Sequence, residues 1–143
     1  MYESVKLKLM RKFISFLSIL LFTACNGVKS YKVKKPEFPL ENVEIKKEHF
    51  VDRGEKDTNG YYDHYYEYDI YSFCQDKLCY KVRSYTDNSE EAAFFSNTKT
   101  NITKKDFSNP LFIHTYYHLK EKEGKTKFTY FSSSGYVGFE LKH

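Results

Sequence analysis

The sequence is poor in the residues from which common catalytic and ligand sites are built. Its 143 residues include six glycines and three cysteines, and none of the glycines belongs to a phosphate-cradling loop or to the Gly-x-Ser-x-Gly turn of serine hydrolases. No second Cys or His pair of the zinc-site type follows Cys74 and Cys79. We therefore expect neither an enzyme nor a bound cofactor or metal ion.

Long apolar runs are also scarce, and the longest covers only residues 13–22. At about 1.5 Å per residue it would form a helix of roughly 15 Å, half of the roughly 30 Å needed to span a bilayer. The alternatives are a buried core helix and an export signal. Basic residues precede the run and Thr23-Ala24-Cys25 follows it, which is the layout of a secretory signal peptide over residues 1–24. Met10 is an alternative start to Met1.

The end of this signal resembles a known processing site. Phe22-Thr23-Ala24-Cys25 is similar to the lipobox of bacterial prolipoproteins, although Phe22 stands where Leu is usual. The resemblance implies that Cys25 receives lipid, that the chain is cut before it, and that the new amino terminus is acylated. Two or three acyl chains hold a protein stably at a membrane. Because Asn26 is not the Asp that retains lipoproteins at the inner membrane, the resemblance implies an outer-membrane anchor that faces the periplasm.

Little charge remains once the signal is removed. Residues 1–24 carry four basic residues and Glu3, a net charge of +3. The whole chain has a net charge of +4, so the remaining residues carry +1. Nucleic acid is therefore not an expected partner. Residues 25–39 hold four lysines and two prolines, and we interpret them as the lipidated Cys and an extended tether, either simply solvated or attracted to anionic headgroups. Residues 40–143 suffice for one β-rich domain.

Within residues 40–143, runs rich in Tyr, Phe, Val, Ile and Thr alternate with polar turns, as is typical of strands. The predicted strands are residues 43–51, 61–73, 79–85, 111–120, 125–131 and 135–141. Short connections join most neighbours, so we predict a mainly β domain with a single antiparallel β-meander sheet or small barrel. One short helix is predicted over residues 90–95, after the capping residues Asp87-Asn88-Ser89.

His114 and His118 are the one histidine pair with a spacing that could bind a metal ion. On a helix they would share a face. On the strand predicted for residues 111–120, at about 3.3 Å per residue, they would lie roughly 13 Å apart and could not share an ion. We interpret both as structural or surface residues.

The two remaining cysteines, Cys74 and Cys79, flank the short polar turn Gln75-Asp76-Lys77-Leu78. They would face each other across a hairpin, and an oxidising compartment would join them in a disulfide. A metal half-site and a redox pair are the alternatives, but the spacing is not the Cys-x-x-Cys of redox proteins. We therefore predict a structural disulfide.

This hairpin register decides which side chains point to the core. Near the turn, the core side holds Tyr71, Phe73, Tyr80 and Val82. If the same register continues from Phe73 back toward Tyr61, it would bury Glu67 and Asp69. Burying unpaired carboxylates costs several kcal/mol. Either a β-bulge near Tyr68 and Asp69 switches the faces, which is our prediction, or the tyrosines beyond it point outward.

Six of the fourteen tyrosines lie within residues 61–73. If Tyr62, Tyr66 and Tyr68 point outward, they form a surface suited to protein contact, because tyrosine combines a large rigid area with a polar tip. The candidate binding residues on that face are Tyr62, His64, Tyr66, Tyr68 and Arg83. The acidic residues of the same strand fit a solvated face better than the carboxylate pair of a glycosidase.

A small, disulfide-stapled, membrane-tethered β module resembles in outline the envelope lipoproteins that bind and block another protein, such as immunity proteins against toxins and lysozyme inhibitors. The expected function is therefore that of a membrane-anchored envelope lipoprotein that binds a protein partner. The alternatives are a structural or assembly component of an envelope or secretion complex and a small-ligand-binding barrel. An exposed loop with a key side chain, within residues 53–60, would favour an inhibitor. A broad flat apolar patch would favour an assembly component. A deep aromatic pocket would favour a ligand carrier.

Overall fold

The structure of the protein is a computed structural model that describes residues 27–35, 40–98 and 101–143. The predicted signal peptide and Cys25 lie outside the described residues. The seven strands are β1 Lys29–Lys32, β2 Glu44–Arg53, β3 Tyr65–Gln75, β4 Leu78–Tyr85, β5 Glu91–Ser96, β6 Lys127–Ser132 and β7 Gly135–Lys142. One α-helix, α1 Pro110–Lys122, lies between β5 and β6, and 3₁₀ turns cover Thr86–Asn88 and Asp106–Ser108.

The strands form one mixed sheet in the order β1-β7-β6-β5-β4-β3-β2. The prediction of a mainly β fold is confirmed, but a purely antiparallel meander is wrong, since β5 pairs with β6 and β1 pairs with β7 in parallel. The first parallel pair arises because α1 crosses over between its strands, as parallel neighbours require. The sheet is also not a closed barrel, because β1 and β2 are its two edges.

The helix predicted over residues 90–95 is wrong, because this segment is strand β5. Of the predicted capping residues, Asp87 and Asn88 lie within the short 3₁₀ turn Thr86–Asn88, and Ser89 follows it. In β5 the alternate residues Ala92 and Phe94 are completely buried, and the strand has partners on both sides, β4 and β6. Pairing with two neighbours and burial of one face therefore outweigh the local preference for a helix.

The strand predicted over residues 111–120 is also wrong, because this segment belongs to α1. Asn109 caps the helix with its side-chain oxygen, which accepts a hydrogen bond from the Leu111 N–H at 2.9 Å, and Pro110 occupies the first turn. Both are ordinary helix-start residues. The fully buried residues recur at helical spacing, at Leu111, Phe112, Thr115, Tyr116 and Leu119.

An aromatic core joins α1 to one face of the sheet. The ring of Phe112 lies 4.6 Å from that of Phe94, 5.2 Å from Tyr80 and 5.7 Å from Phe139. Phe107, from the 3₁₀ turn before α1, lies 5.1 Å from Phe112. Rings at these distances contribute beyond the area they bury, by about 0.5–1.5 kcal/mol per pair.

The hairpin of β3 and β4 confirms the predicted register. Cys74 pairs with Cys79, Phe73 with Tyr80 and Tyr71 with Val82. The disulfide between Cys74 and Cys79 is present, and the four predicted core residues are buried.

Strand β1 lies in the segment that the composition assigns to a tether. Lys29–Lys32 pairs with β7 along its whole length, and the Val33 N–H donates to the Lys142 carbonyl at 2.7 Å. The Tyr31 ring stacks on Phe107 at 4.2 Å, within the core side of the sheet. Three residues, 26–28, therefore separate Cys25 from the sheet.

Candidate binding face

The two faces of the sheet have different surroundings. Helix α1, the single α-helix of the described ranges, packs on the face that holds Phe73, Tyr80 and Phe94. We call the opposite side of the sheet the open face. It presents Tyr66 of β3, which is 52% exposed, and Phe50 of β2, which is 38% exposed.

No bulge interrupts β3, so the predicted switch of faces near Tyr68 and Asp69 is wrong. The register of β3 with β2 runs without a break from Tyr65 to Cys74, and its register with β4 runs from Tyr68 to Gln75. Tyr66 and Tyr68 therefore point outward, which is the alternative that the sequence analysis gave to a bulge.

The cost of partly burying Glu67 and Asp69 is offset because the neighbouring strand supplies partners for both carboxylates. His49 contacts Asp69 at 2.8 Å and Glu67 at 3.2 Å, and the Lys47 ammonium lies 3.4 Å from Asp69. Burial raises the pKa of Asp69, but the hydrogen bond from His49 and the charge of Lys47 outweigh it and hold that pKa below its usual value. The hydrogen bond to Asp69 in turn raises the pKa of His49.

Four aromatic side chains form a connected surface on the open face, which we call the aromatic patch: Phe50, Tyr66, Tyr68 and Tyr85. The rings of Phe50 and Tyr68 stack at 5.6 Å, and Tyr85 meets Tyr68 edge-on at 5.6 Å and Tyr66 at 6.3 Å. His64 extends the patch, because its ring stacks on Tyr66 at 5.8 Å.

Arg83 lies among these rings. Its guanidinium is 4.9 Å from the centre of the Tyr68 ring, 5.0 Å from Phe95 and 5.9 Å from Tyr85. Cations at such distances over aromatic faces are attracted by the ring quadrupole, by about 0.5–1 kcal/mol at exposed sites. Arg83 is thereby held in one position on the patch.

Tyr62, the fifth predicted residue, lies apart from this group. Its hydroxyl accepts a hydrogen bond from Arg53 Nη1 at 3.1 Å, and its ring is 6.0 Å from that of Tyr65. Tyr65 and Tyr66 are successive residues of β3 and so point to opposite faces. The structure brings together His64, Tyr66, Tyr68 and Arg83, but not Tyr62.

Phe50, Tyr85 and Phe95 were missed by sequence reasoning. The partner of Tyr68 in β4 could have been found, because extending the disulfide register places Tyr85 opposite Tyr68. Phe50 could have been found only from the pairing of β2 with β3. Eleven residues separate these strands, and a loop of that length does not fix their register from the sequence.

Ser84 and Lys125 resemble a serine–lysine pair, since the Lys125 ammonium donates to Ser84 Oγ at 2.7 Å and to the Ser89 carbonyl at 2.6 Å. Burial lowers the pKa of Lys125. However, Ser84 is 4% exposed and Lys125 is 6% exposed, so a substrate cannot reach either group. The pair ties the segment after α1 to the sheet.

His114 and His118 lie on a helix, so the predicted 13 Å separation on a strand is wrong. Their ring centres are 6.1 Å apart, and His118 packs edge-on against Phe73 at 5.2 Å. Burial lowers the pKa of both imidazoles. Across the described ranges, no group of three or more His, Cys, Asp or Glu residues is arranged to hold a metal ion.

The fold and the site together define a small mixed-sheet domain with a disulfide-stapled hairpin and an aromatic patch around one arginine. No protein-family model, curated protein or solved structure matches the chain. In the part of the chain that the structure describes, no helix has both the length and the apolar character to span a membrane.

Proposed function

We propose that this protein is a membrane-anchored envelope lipoprotein whose β domain binds a protein partner through the aromatic patch. The observation that carries the proposal is the outward position of Phe50, Tyr66 and Tyr68 on a face that α1 does not cover. The patch would act by binding and not by chemistry, since the serine–lysine pair formed by Ser84 and Lys125 is buried.

The composition of the patch suits a protein contact. Tyrosine and arginine are enriched among the residues that contribute most to protein interfaces, and aromatic side chains lose little conformational entropy when they bind. Here the rings already touch one another and Arg83, so less freedom remains to be lost on binding. The patch is therefore preorganised for a partner.

An inhibitor or immunity function is favoured over a passive assembly role by the loop between β2 and β3. Tyr61, which directly follows the turn at residues 58–60 and lies one residue beyond the range 53–60, is 72% exposed. The Asp57 carboxylate holds the loop by accepting from the Asn59 N–H at 2.8 Å and the Tyr61 N–H at 2.9 Å. An ordered loop with one projecting aromatic side chain is suited to entering a cleft of a toxin or hydrolase. A ligand-carrying barrel is not proposed, because the sheet is open.

The anchor is part of the same proposal. Lipid on Cys25 would place the domain at the cell envelope, on the outer membrane facing the periplasm. Metabolic labelling of the full chain with a palmitate analogue tests this step, and we expect Cys25→Ser to abolish labelling and to release the protein from the membrane fraction. Labelling that persists in Cys25→Ser would contradict the anchor.

The binding role is tested with a soluble Cys25→Ser form that is secreted under a different signal and used as bait in envelope extract. A second bait carries Tyr66→Ser and Tyr68→Ser. A third carries Tyr136→Ser, a matched control because Tyr136 is 50% exposed on β7, away from the patch. We expect one stoichiometric partner with the first and third baits and its loss with the second.

Equal recovery by all three baits would overturn the binding role of the patch, provided that circular dichroism shows each bait folded. The identity of the partner separates the two functional alternatives. A toxin or hydrolase whose activity falls when the domain is added would support inhibition, and a resident envelope component would support an assembly role.

A further inference from the structure

Arg83 is the charged residue of the aromatic patch whose bonding is incomplete. Its Nε is the one buried side-chain nitrogen or oxygen atom without a hydrogen-bond partner in the described residues. Its Nη1 donates to the Tyr85 hydroxyl at 3.3 Å, at the long end of the hydrogen-bond range. Buried polar groups normally have partners, so an exception at a surface patch needs an explanation.

Arg83 also lacks a counter-charge. None of the ion pairs among the described ranges includes it. Acidic residues on the same face of the sheet have other partners: Glu48 pairs with Lys46 at 2.9 Å, Asp52 with His64 at 3.2 Å, and Glu91 accepts from Asn88 at 2.6 Å. The guanidinium is therefore half-buried among rings without a carboxylate in contact.

The surrounding rings prepare this guanidinium for one type of ligand. Three aromatic rings within 6 Å fix the position of the guanidinium and cover part of its surface. The planar guanidinium presents a rigid set of donors that matches the two oxygens of a carboxylate, and such paired bonds are roughly twice as strong as neutral ones. Partial exclusion of water strengthens that interaction further.

We infer that Arg83 is the recognition residue of the aromatic patch, and that it binds the side-chain carboxylate of an Asp or Glu on the protein partner while apolar neighbours of that residue pack on Phe50, Tyr66 and Tyr68. The inference rests on the proposed function and names the chemistry that the partner must present. Tyr85 is a positioning residue, since its ring and hydroxyl hold the guanidinium.

The first experiment uses a carboxylate probe on the soluble domain. In a titration with 3-phenylpropionate, which joins an aromatic ring to a carboxylate, we expect saturable shifts of the Arg83 Nε–H signal and of the patch tyrosines in the millimolar range. The uncharged 3-phenylpropanamide serves as the matched control, and we expect it to shift the tyrosines weakly and the Arg83 signal not at all. Equal responses to acid and amide, or no response to either, would overturn the inference.

Inorganic phosphate tests the rival anion in the same way. A response to phosphate at lower concentration than to 3-phenylpropionate would contradict a carboxylate-selective site. We expect phosphate to act only weakly, because it has no apolar part to occupy the rings around Arg83.

The second experiment compares two changes of equal charge in the partner-binding assay. Arg83→Gln removes the guanidinium, and Lys81→Gln removes an exposed charge from the same face of the same strand. We expect Arg83→Gln to weaken binding by about thirtyfold or more, as is typical when one member of a desolvated charge pair is removed. We expect Lys81→Gln to change it by less than about threefold, as is typical of an exposed charge.

The pattern across variants separates the inference from the proposed function. If Tyr66→Ser with Tyr68→Ser abolishes binding while Arg83→Gln binds normally, the patch binds a partner but the carboxylate inference is wrong. If neither change affects binding, the proposed function of the patch fails as well. If Lys81→Gln weakens binding as much as Arg83→Gln does, binding depends on general electrostatic attraction, and the inference is overturned.

Discussion

At the scale of single residues, the histidines differ in how their surroundings favour a proton. His49 lies between two carboxylates, and its hydrogen bond to Asp69 raises its pKa above 6.5. His118 packs against Phe73 on the covered side of the sheet, and burial lowers its pKa below 6.5. The same kind of side chain is therefore charged at one place and neutral at the other near pH 6.5.

A pH titration followed by NMR should show His49 titrating above 6.5 and His118 below it. Because its folded-state pKa is raised, His49 stabilises the fold fully below about 6.5, and this contribution is lost as pH rises through the folded-state pKa. His118 has the opposite effect, since the unfolded chain takes up its proton more readily and the fold loses stability as pH falls below about 6.5.

The variant Asp69→Asn tests whether the contact with Asp69 causes the raised pKa of His49. We expect it to bring the pKa of His49 back toward 6.5, because the carboxylate that holds the proton is gone. Asp52→Asn is the matched control, since Asp52 contacts His64 and not His49. An unchanged His49 titration in Asp69→Asn would show that the contact does not set the pKa.

Tyr80 contributes a buried hydrogen bond that should be measurable. Its hydroxyl donates to Asp106 Oδ1 at 2.6 Å, and burial raises the pKa of Tyr80, so the hydroxyl stays a donor. Tyr80→Phe leaves that carboxylate oxygen without this partner, and we expect a loss of about 1–3 kcal/mol in the free energy of unfolding. Urea unfolding tests this, with Tyr136→Phe as an exposed control that we expect to be neutral. A neutral Tyr80→Phe would contradict the assigned bond.

At the scale of elements, the disulfide closes the hairpin of β3 and β4 within a loop of a few residues. In the chain-entropy account a loop this short contributes on the order of 2 kcal/mol. We expect the double variant Cys74→Ser, Cys79→Ser to lose about that much stability and to keep its register, because buried Phe73 and Tyr80 still fix it. Denaturant unfolding with and without reductant measures the loss, and the wild type under reductant should match the double variant.

A double variant that no longer folds would contradict this prediction, since it would mean that the bond determines the hairpin and does not only stabilise it. Amide spectra distinguish the two results, because the β3–β4 pairing gives cross-strand contacts that survive only if the register does.

The β3–β4 hairpin was accessible from the sequence because it depends on local rules, whereas the outward tyrosines followed from its register only as the alternative to the predicted bulge. Two cysteines across a short turn fix a register, and alternation along a strand then assigns faces. Alternation fails at Tyr62 because β3 begins only at Tyr65, so the preceding residues belong to a loop with its own geometry. That is why Tyr62 was grouped with the wrong neighbours.

The errors at β5 and α1 have the opposite origin. The capping residues before β5 and the aromatic and β-branched content of α1 are local signals, and tertiary packing overrides both. Asn109 and Pro110 mark the start of α1, but the assignment of residues 111–120 to a strand rested on composition and did not use them. The two parallel pairings follow from α1 and β1 and could not be derived once α1 was assigned as a strand.

At the scale of the whole molecule, β1 determines where the amino-terminal segment leaves the fold. The Tyr31 ring seals the edge of the core by stacking on Phe107 at 4.2 Å. We expect Tyr31→Ala to lower the free energy of unfolding by about 2 kcal/mol, since it removes a half-buried aromatic ring. Thermal unfolding of the soluble form measures this, and Tyr61→Ala, which removes a largely exposed ring, should leave the midpoint unchanged. Equal midpoints for both variants would contradict a structural role of β1.

The order of strands also separates the anchor from the aromatic patch. Four to five strand spacings lie between β1 and the strands β4 and β3, which corresponds to roughly 19–24 Å at about 4.8 Å per spacing. If lipid on Cys25 held the β1 edge beside the bilayer, as proposed, a partner would bind the open face of β2, β3 and β4, toward the other edge of the sheet.

This arrangement has a mechanical consequence. A partner that is pulled away from an anchored domain applies tension between β3–β4 and Cys25, and that tension enters the sheet through β1, which is held by four paired residues at an edge. Detachment of β1 would add its four residues to the connection and lengthen it from three residues to seven, roughly 23 Å of extended chain. The rest of the sheet would stay paired, so the edge strand would act as an extensible link between the anchor and the domain.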